Sequence, residues 1–209
     1  NIIGTVYIVF IIVYLGNRPI SGRYFGDTYN YAQTYYLMQQ GEQVEIKKDL
    51  LFSYLMQWCS QIMDIHTFYT LLDFLFIAPI IAFCRKWFKD YWFLAALLFI
   101  SSFIFVSSAT NGLRNGLGVA FFLLGLYFYE RKKWMYAFFA LGYFMHASMI
   151  IPIVAFVLAG KIKTLRTQLI IWFGSIVLSL LGGSFWLNFF ASLGFDDRAE
   201  DYLLNLEEE

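Results

Sequence analysis

Charge is scarce in this sequence, and so is cysteine. Only 14% of its 209 residues are Asp, Glu, Lys or Arg, against about 25% in an ordinary soluble domain. Fifteen charges of each sign cancel, so no bulk field points to nucleic acid as a partner. The two cysteines, Cys59 and Cys84, stand alone in apolar or amphipathic segments and form neither a metal-ligand spacing nor a disulfide framework. No Asp-rich or His-rich cluster marks a metal site, and neither metal nor cofactor is expected. What is plentiful is apolar. Hydrophobic residues make up 60% of the chain, and the mean hydropathy is +0.60. Aromatics reach 22%, which suits interfacial belts and an aromatic-lined cavity. This composition predicts an integral membrane protein of about half a dozen hydrophobic helices.

Along the chain, 1–16 is apolar but short for a full span of about 20 residues. The chain starts at Asn1 and ends on Glu207, Glu208 and Glu209, and it is expected to be one integral membrane domain, 1–209, cut at both ends from a longer protein. Residues 17–30 read as a polar, Gly-rich loop and 31–40 as a short interfacial helix. Leu50–Ile65 is amphipathic: Ser53, Gln57, Gln61 and Asp64 share one face. Spans are expected over 66–84, 91–108, 113–129 and 167–186. Residues 134–160 are apolar but interrupted at His146, and 187–209 is an acidic, amphipathic tail.

Three basic clusters set the orientation: Arg85/Lys86/Lys89, Arg131/Lys132/Lys133 and Lys161/Lys163/Arg166. The positive-inside rule assigns all three to the cytoplasm. Residues 17–30, 111–115 and the tail then face outward. Cytoplasmic clusters flank 134–160, so this stretch must enter and return. Each arm has roughly 13 residues, about 20 Å of helix, which is short of a hydrocarbon core about 30 Å thick. The expectation is a short-armed hairpin with His146 near its outward tip, in a wet or protein-lined cavity.

Several polar residues stand out against this background. Arg114 opens a span, with Asn111 and Asn115 on the same turn. It is either an interfacial arginine whose neighbours Gly112 and Gly116 serve helix packing, or an anion site where a helix N-terminus and a bidentate guanidinium meet a phosphate. His146 is either a packing residue or a proton acceptor oriented by Ser148. Arg18, Arg23 and Asp27 share one outward loop. They read as a solvated loop with Asp27 as a helix N-cap, or as a basic lip with a carboxylate beside it. The tyrosines around them, Tyr31 and Tyr35 among these, form an interfacial belt or a stacking platform for sugars. Asp73 lies mid-span, where a charge costs about 2.5–3.5 kcal/mol. His66, Tyr69 and Asp73 fall on one face, a spacing suited to a proton relay, but a Tyr or Asn on a neighbouring span is the favoured partner for Asp73.

The run from Asn111 to Gly160 resembles the EpsG-like family. Its pattern is a GxR motif opening an apolar span, a basic turn, a short arm, then H-x-S and an apolar arm with proline. Here these are Gly112-Leu-Arg114, Arg131–Lys133, His146-Ala-Ser148 and Pro152. Asp27, Tyr31 and Tyr35 look like the family's D-x3-Y-x3-Y stretch, and Arg198 and Tyr202 like its R-x3-Y stretch. The likeness is specific over Gly112–Pro152 and loose elsewhere, and family members run longer, with further C-terminal spans.

The resemblance implies an all-α, polytopic transmembrane bundle, a GT-C-like polymerase, with the hairpin, outward loops and interfacial helices. It implies a Wzy-type glycosyltransferase of the bacterial inner membrane, active on the outer face without a metal. Donor and acceptor are undecaprenyl-diphosphate-linked oligosaccharides, embedded in membrane lipid. The product is O antigen, capsule or exopolysaccharide, and a chain-length regulator is an expected protein partner. The expected catalytic set is Arg114 for the diphosphate, His146 as base and Asp27 as the alternative base. Arg18, Arg23, Tyr31, Tyr35, Asn111, Asn115, Ser148, Arg198 and Tyr202 are expected to bind substrate. A flippase for the same lipid and an O-antigen ligase-type transferase are the rivals. An acyltransferase working from His146 is disfavoured, because no acidic residue neighbours that histidine in sequence.

Overall fold

The structure is a computed structural model that describes residues 2–42, 44, 49–183, 185, 186 and 189. Among these the regular structure is entirely helical: α1 (Ile2–Gly16), α2 (Gly26–Gln39), α3 (Leu50–Ser60), α4 (Ile65–Phe88), α5 (Trp92–Ile100), α6 (Phe103–Thr110), α7 (Leu113–Tyr127), α8 (Lys132–Met145), α9 (Ile150–Ala159) and α10 (Leu165–Leu181). Short 3₁₀ turns at Lys89–Tyr91 and Ala147–Met149 link α4 to α5 and α8 to α9. The all-α membrane-bundle class expected from the composition is the class observed. Among the described residues one helical stretch, Ile65–Ile100, is long and apolar enough to cross a membrane, its most apolar 18-residue window having a mean hydropathy of 1.9. The apolar helices α1, α7 and α10 have 15, 15 and 17 residues. At 1.5 Å per residue that is about 22–26 Å of helix.

The chain forms two compact units, residues 1–150 and 151–209. In the first, α4 is the central post: α1, α3, α5 and α7 pack on it, α7 packs on α8, and α3 touches α2 and α8. Two seams depend on glycine. A Cβ on Gly16 would lie 2.6 Å from the Thr70 Cα, so only hydrogen fits where α1 crosses α4. On the α7–α8 seam, a Cβ on Gly142 would sit 3.0 Å from the Gly118 carbonyl oxygen. The packing glycines of α7 are thus Gly116, against Ser108, Gly118, and Gly125, where a Cβ would lie 2.5 Å from the Phe139 ring; Gly112, just ahead of the helix, meets nothing closer than 3.8 Å. An aromatic core joins α2, α3 and α4, with Tyr35 stacked on Phe68 at 5.0 Å and Phe52 beside both Tyr31 and Phe68. In the second unit α10 is capped by Thr164, whose hydroxyl accepts the Thr167 N–H at 3.3 Å.

Several boundaries differ from the sequence reading, for local reasons. The expected amphipathic helix through Ile65 stops at Ser60. Asp64 does not lie on its polar face but caps α4, accepting from the His66 N–H at 2.9 Å and the Thr67 N–H at 3.1 Å. Helix α2 starts at Gly26, inside the expected loop. Asp27 is therefore in its first turn, and Phe25 holds the N-cap position; the carboxylate still complements the positive end of the helix. The span expected over 91–108 is split at Ser101 and Ser102, where the Ser102 hydroxyl accepts the Phe105 N–H and starts α6 anew. The interruption at His146 is present: its extended backbone (φ −156°, ψ 120°) ends α8.

Two of the basic clusters meet at one end of the first unit. Lys86 Nζ, near the end of α4, donates to the Tyr127 carbonyl at 2.5 Å and lies 3.8 Å from Glu130. Lys132 Nζ sits 3.7 Å from the Tyr129 ring centroid. Arg114 is in the first turn of α7 and Tyr127 in its last. One helix length, about 20 Å, therefore separates the basic end from Arg114.

Candidate active site

Three chain breaks build the site. Gly112 ends the turn after α6, so Arg114 lands in the first turn of α7. His146 sits at the break after α8. Asp49 precedes α3 in a left-handed backbone conformation, φ 50° and ψ 54°. Aspartate tolerates that region better than most residues, and such outliers persist where surrounding contacts hold them. Asp49 occupies the N-cap position of α3 yet makes no cap bond. Its carboxylate is used elsewhere.

That carboxylate gathers the site. Arg114 Nη1 donates to Asp49 Oδ2 at 2.9 Å, and His146 Nδ1 faces the same oxygen at 3.2 Å. The Ala147 N–H donates to Oδ1 at 3.1 Å. Arg114 Nε donates to the Tyr31 hydroxyl at 2.9 Å, and the guanidinium carbon lies 5.6 Å from the Tyr31 ring centroid. Asp27 adds negative charge within electrostatic range of both Arg114 and Tyr31. Burial pushes the Asp49 carboxyl up. The hydrogen bond and charge of His146, the charge of Arg114 and the Ala147 N–H outweigh this and hold it below its ordinary value. A carboxylate oxygen can only accept, so the proton of the facing imidazole sits on Nδ1. In the neutral ring Nε2 is then the open acceptor.

The expected site residues divide into those brought together and those not. Arg114, His146, Tyr31 and Asp27 belong to one constellation. Asn115 is exposed beside Arg114, and Ser148 is half-buried in the turn after His146; the partner of His146 is Asp49, not Ser148. Asn111 caps the end of α6, and its Oδ1 is buried without a hydrogen-bond partner among the described residues. Arg23 is exposed, with its guanidinium 5.5 Å from the Tyr24 ring centroid. Tyr35 is fully buried and donates to the Met63 carbonyl at 2.8 Å, which makes its ring part of the core. Arg18 is no open lip. It is buried and pairs with Asp73 at 2.9 Å, its guanidinium 4.6 Å from the Tyr69 ring centroid. The expected Tyr or Asn partner for Asp73 is thereby corrected to an arginine. The His66/Tyr69/Asp73 face makes no relay either, since the Tyr69 hydroxyl donates to the Thr28 carbonyl at 2.5 Å. Arg198 and Tyr202 lie outside the described residues.

Asp49 is the site residue that sequence reasoning missed. An aspartate directly ahead of an amphipathic helix reads as a cap, and nothing local distinguishes it from one. It also overturns the argument that His146 has no acidic neighbour: the neighbour lies 97 positions away in sequence. The Thr28 hydroxyl, which donates to the Thr110 carbonyl, ties the first turn of α2 to the end of α6 and so holds Tyr31 near Arg114.

The sequence matches the EpsG family over residues 1–209. No curated protein and no solved structure matches the chain. The match covers every residue of this apolar helical bundle: the chain belongs to the EpsG family, and is a membrane protein of polysaccharide biosynthesis.

Proposed function

We propose that this protein is a polymerase of lipid-linked oligosaccharides, acting at the outer leaflet of a bacterial inner membrane. The growing glycan leaves its undecaprenyl diphosphate and is joined to the non-reducing end of the next lipid-linked repeat unit. The observation that carries the reading is the convergence of Arg114 and His146 on one carboxylate.

The acceptor hydroxyl attacks the anomeric carbon of the donor, forming a new C–O bond. The bond from that carbon to the diphosphate oxygen breaks, and the electron pair leaves with the diphosphate. The hydroxyl proton passes to Nε2 of His146. Arg114 stabilises the charge developing on the leaving diphosphate; a guanidinium matches phosphate oxygens with two parallel donors. Its position about one helix length from the clustered lysines supports an outward-facing site, since those lysines favour the cytoplasm. Asn115, exposed beside Arg114, is assigned to the donor, and the exposed Tyr29 and Tyr36 of α2 offer faces for sugars.

The test is glycan laddering in a strain that lacks the gene and is complemented with the full-length protein. Wild type, Arg114→Ala and His146→Ala are compared, with lipid-linked intermediates identified by mass spectrometry. The reading expects long chains to vanish in the deletion and both variants while single units accumulate on the outer leaflet. Single units trapped on the cytoplasmic leaflet would make the protein a flippase instead.

A further inference from the structure

The arginine assigned to the diphosphate is already engaged. Arg114 gives Nε to Tyr31 and Nη1 to Asp49, while Nη2 has no partner among the described residues. The two ends of the ion pair differ. The Arg114 side chain is 37% exposed and the Asp49 side chain 4% exposed. An incoming anion can reach the guanidinium but not the carboxylate. Asp49 cannot leave with it either, because the Ala147 N–H and His146 hold it from the other side.

We propose that Asp49 is an exchangeable counter-ion that links donor binding to the base. Without donor, its carboxylate is shared between Arg114 and His146. A diphosphate carries more charge than a carboxylate and presents paired oxygens, so it draws the guanidinium to itself. The carboxylate then serves His146 alone. An imidazole whose Nδ1–H faces an uncompensated carboxylate stabilises the imidazolium better, and Nε2 becomes the stronger base. The base gains strength when the donor is seated and remains weaker when the site is empty. Asp49 is a positioning residue in this scheme: it touches Arg114 and His146, not the reacting atoms. The groups that act on it are Arg114, His146 and Ala147, and Asp27 and Tyr31 add their fields to Arg114.

This inference rests on the polymerase reading, and two readouts separate their failures. Purified full-length protein in detergent is titrated with farnesyl diphosphate, and polymerisation of a lipid-linked repeat unit is followed over pH. Asp49→Asn keeps the size and one accepting oxygen but removes the charge. The expected result is farnesyl diphosphate binding at least 3-fold tighter than in wild type, because the competitor for Arg114 is gone. Polymerisation at neutral pH is expected to fall by about 10²-fold or more, with the acid limb of the pH profile moved to lower pH. Asp49→Glu, which restores the charge, should recover part of the rate. It also guards against a folding defect in the asparagine variant.

Weaker diphosphate binding by Asp49→Asn would make Asp49 a brace for Arg114 and overturn the proposal. So would an unchanged rate, or a loss of rate with an unmoved acid limb. If Arg114→Ala and His146→Ala keep full polymerisation, the polymerase site itself is wrong. If they lose it and Asp49→Asn does not, only the counter-ion role fails.

Discussion

Two arginine–aspartate pairs in the first unit have one geometry and opposite surroundings. Arg18 meets Asp73 and Arg114 meets Asp49, each at 2.9 Å from Nη1 to Oδ2. The first pair is sealed, with side chains 5% and 1% exposed. It joins the segment after α1 to the middle of α4, and it leaves Arg18 Nε, Arg18 Nη2 and Asp73 Oδ1 buried without partners among the described residues. The second pair is open on its arginine side, and its carboxylate carries a histidine on the same oxygen. Distance alone does not separate a clamp from a site. What separates them is whether a ligand can reach one of the charges, and whether a group able to move protons sits on the other.

The largest expected effects fall on different observables for the two pairs. Removing either half of the sealed pair strands a buried charge, which costs about 3–5 kcal/mol. Arg18→Ala and Asp73→Ala should therefore lower the thermal unfolding midpoint in detergent and the amount of protein in membranes. Arg114→Ala should change neither by much, yet polymer synthesis should fall by about 10²–10⁴-fold, the range of a lost charge-stabilising or acid–base group. If Arg114→Ala unfolds the protein as Arg18→Ala does, the open pair is a clamp as well, and the contrast collapses.

A sharper form of the comparison replaces both partners at once. A buried ion pair exchanged for apolar residues of similar volume is often neutral or stabilising. Arg18→Met combined with Asp73→Leu should recover most of the abundance lost by the single changes, with laddering intact. Arg114→Met combined with Asp49→Leu should fold and make no polymer. Loss of polymer in a well-folded Arg18/Asp73 double variant would give the sealed pair a part in the chemistry.

The two pairs also differ in how far the sequence discloses them. Arg114 and His146 stand out because each is a polar residue inside an apolar run, at a glycine-rich start and at a helix break. The all-helical class, the interruption at His146 and the basic turn at Arg131–Lys133 follow from hydropathy and charge alone. The partners do not. Asp49 looks like a routine helix cap, and its 65-residue separation from Arg114 is a tertiary fact that no local pattern encodes. Arg18 in a Gly- and Pro-containing loop reads as solvated, but the approach of α1 to α4 at Gly16 and Thr70 delivers it to Asp73. Hydropathy reads Tyr31 and Tyr35 alike, and as i and i+4 they share one helix face; only the tertiary neighbour one turn along parts them, since Tyr35 stacks on Phe68 while Tyr31 reaches Arg114. The serine pair that divides 91–108 was likewise hidden, because two serines do not lower the hydropathy of so apolar a segment enough to show.

A smaller effect tests how Arg114 is aimed. The Tyr31 hydroxyl is the acceptor for Arg114 Nε, and its removal in Tyr31→Phe leaves the ring in place. One hydrogen bond to a charged group is worth about 1.5–3 kcal/mol at most. Part of this is recovered by water at a half-open site. A 3- to 30-fold rise in donor KM with little change in kcat is expected from steady-state polymerisation. A fall in kcat at constant KM would instead make the tyrosine a participant in the chemical step.

The smallest effect is on stability against pH, and its sign distinguishes a charged Asp49 from a protonated one. The folded-state carboxyl is held below its ordinary value by its partners, whereas an unfolded aspartate titrates near about 3.9. A depressed folded value contributes stability that is fully present above the unfolded value and is lost as pH falls through the folded one. The unfolding midpoint of the detergent-solubilised protein should then owe Asp49 no slope between about pH 5 and 8, and should decline below about pH 4. Asp49→Asn removes the titrating group, so its acid-side decline should be shallower than that of wild type. Parallel acid limbs would mean that Arg114 and His146 do not stabilise the ionised carboxylate, and the open pair would lose the charge on which its proposed chemistry depends.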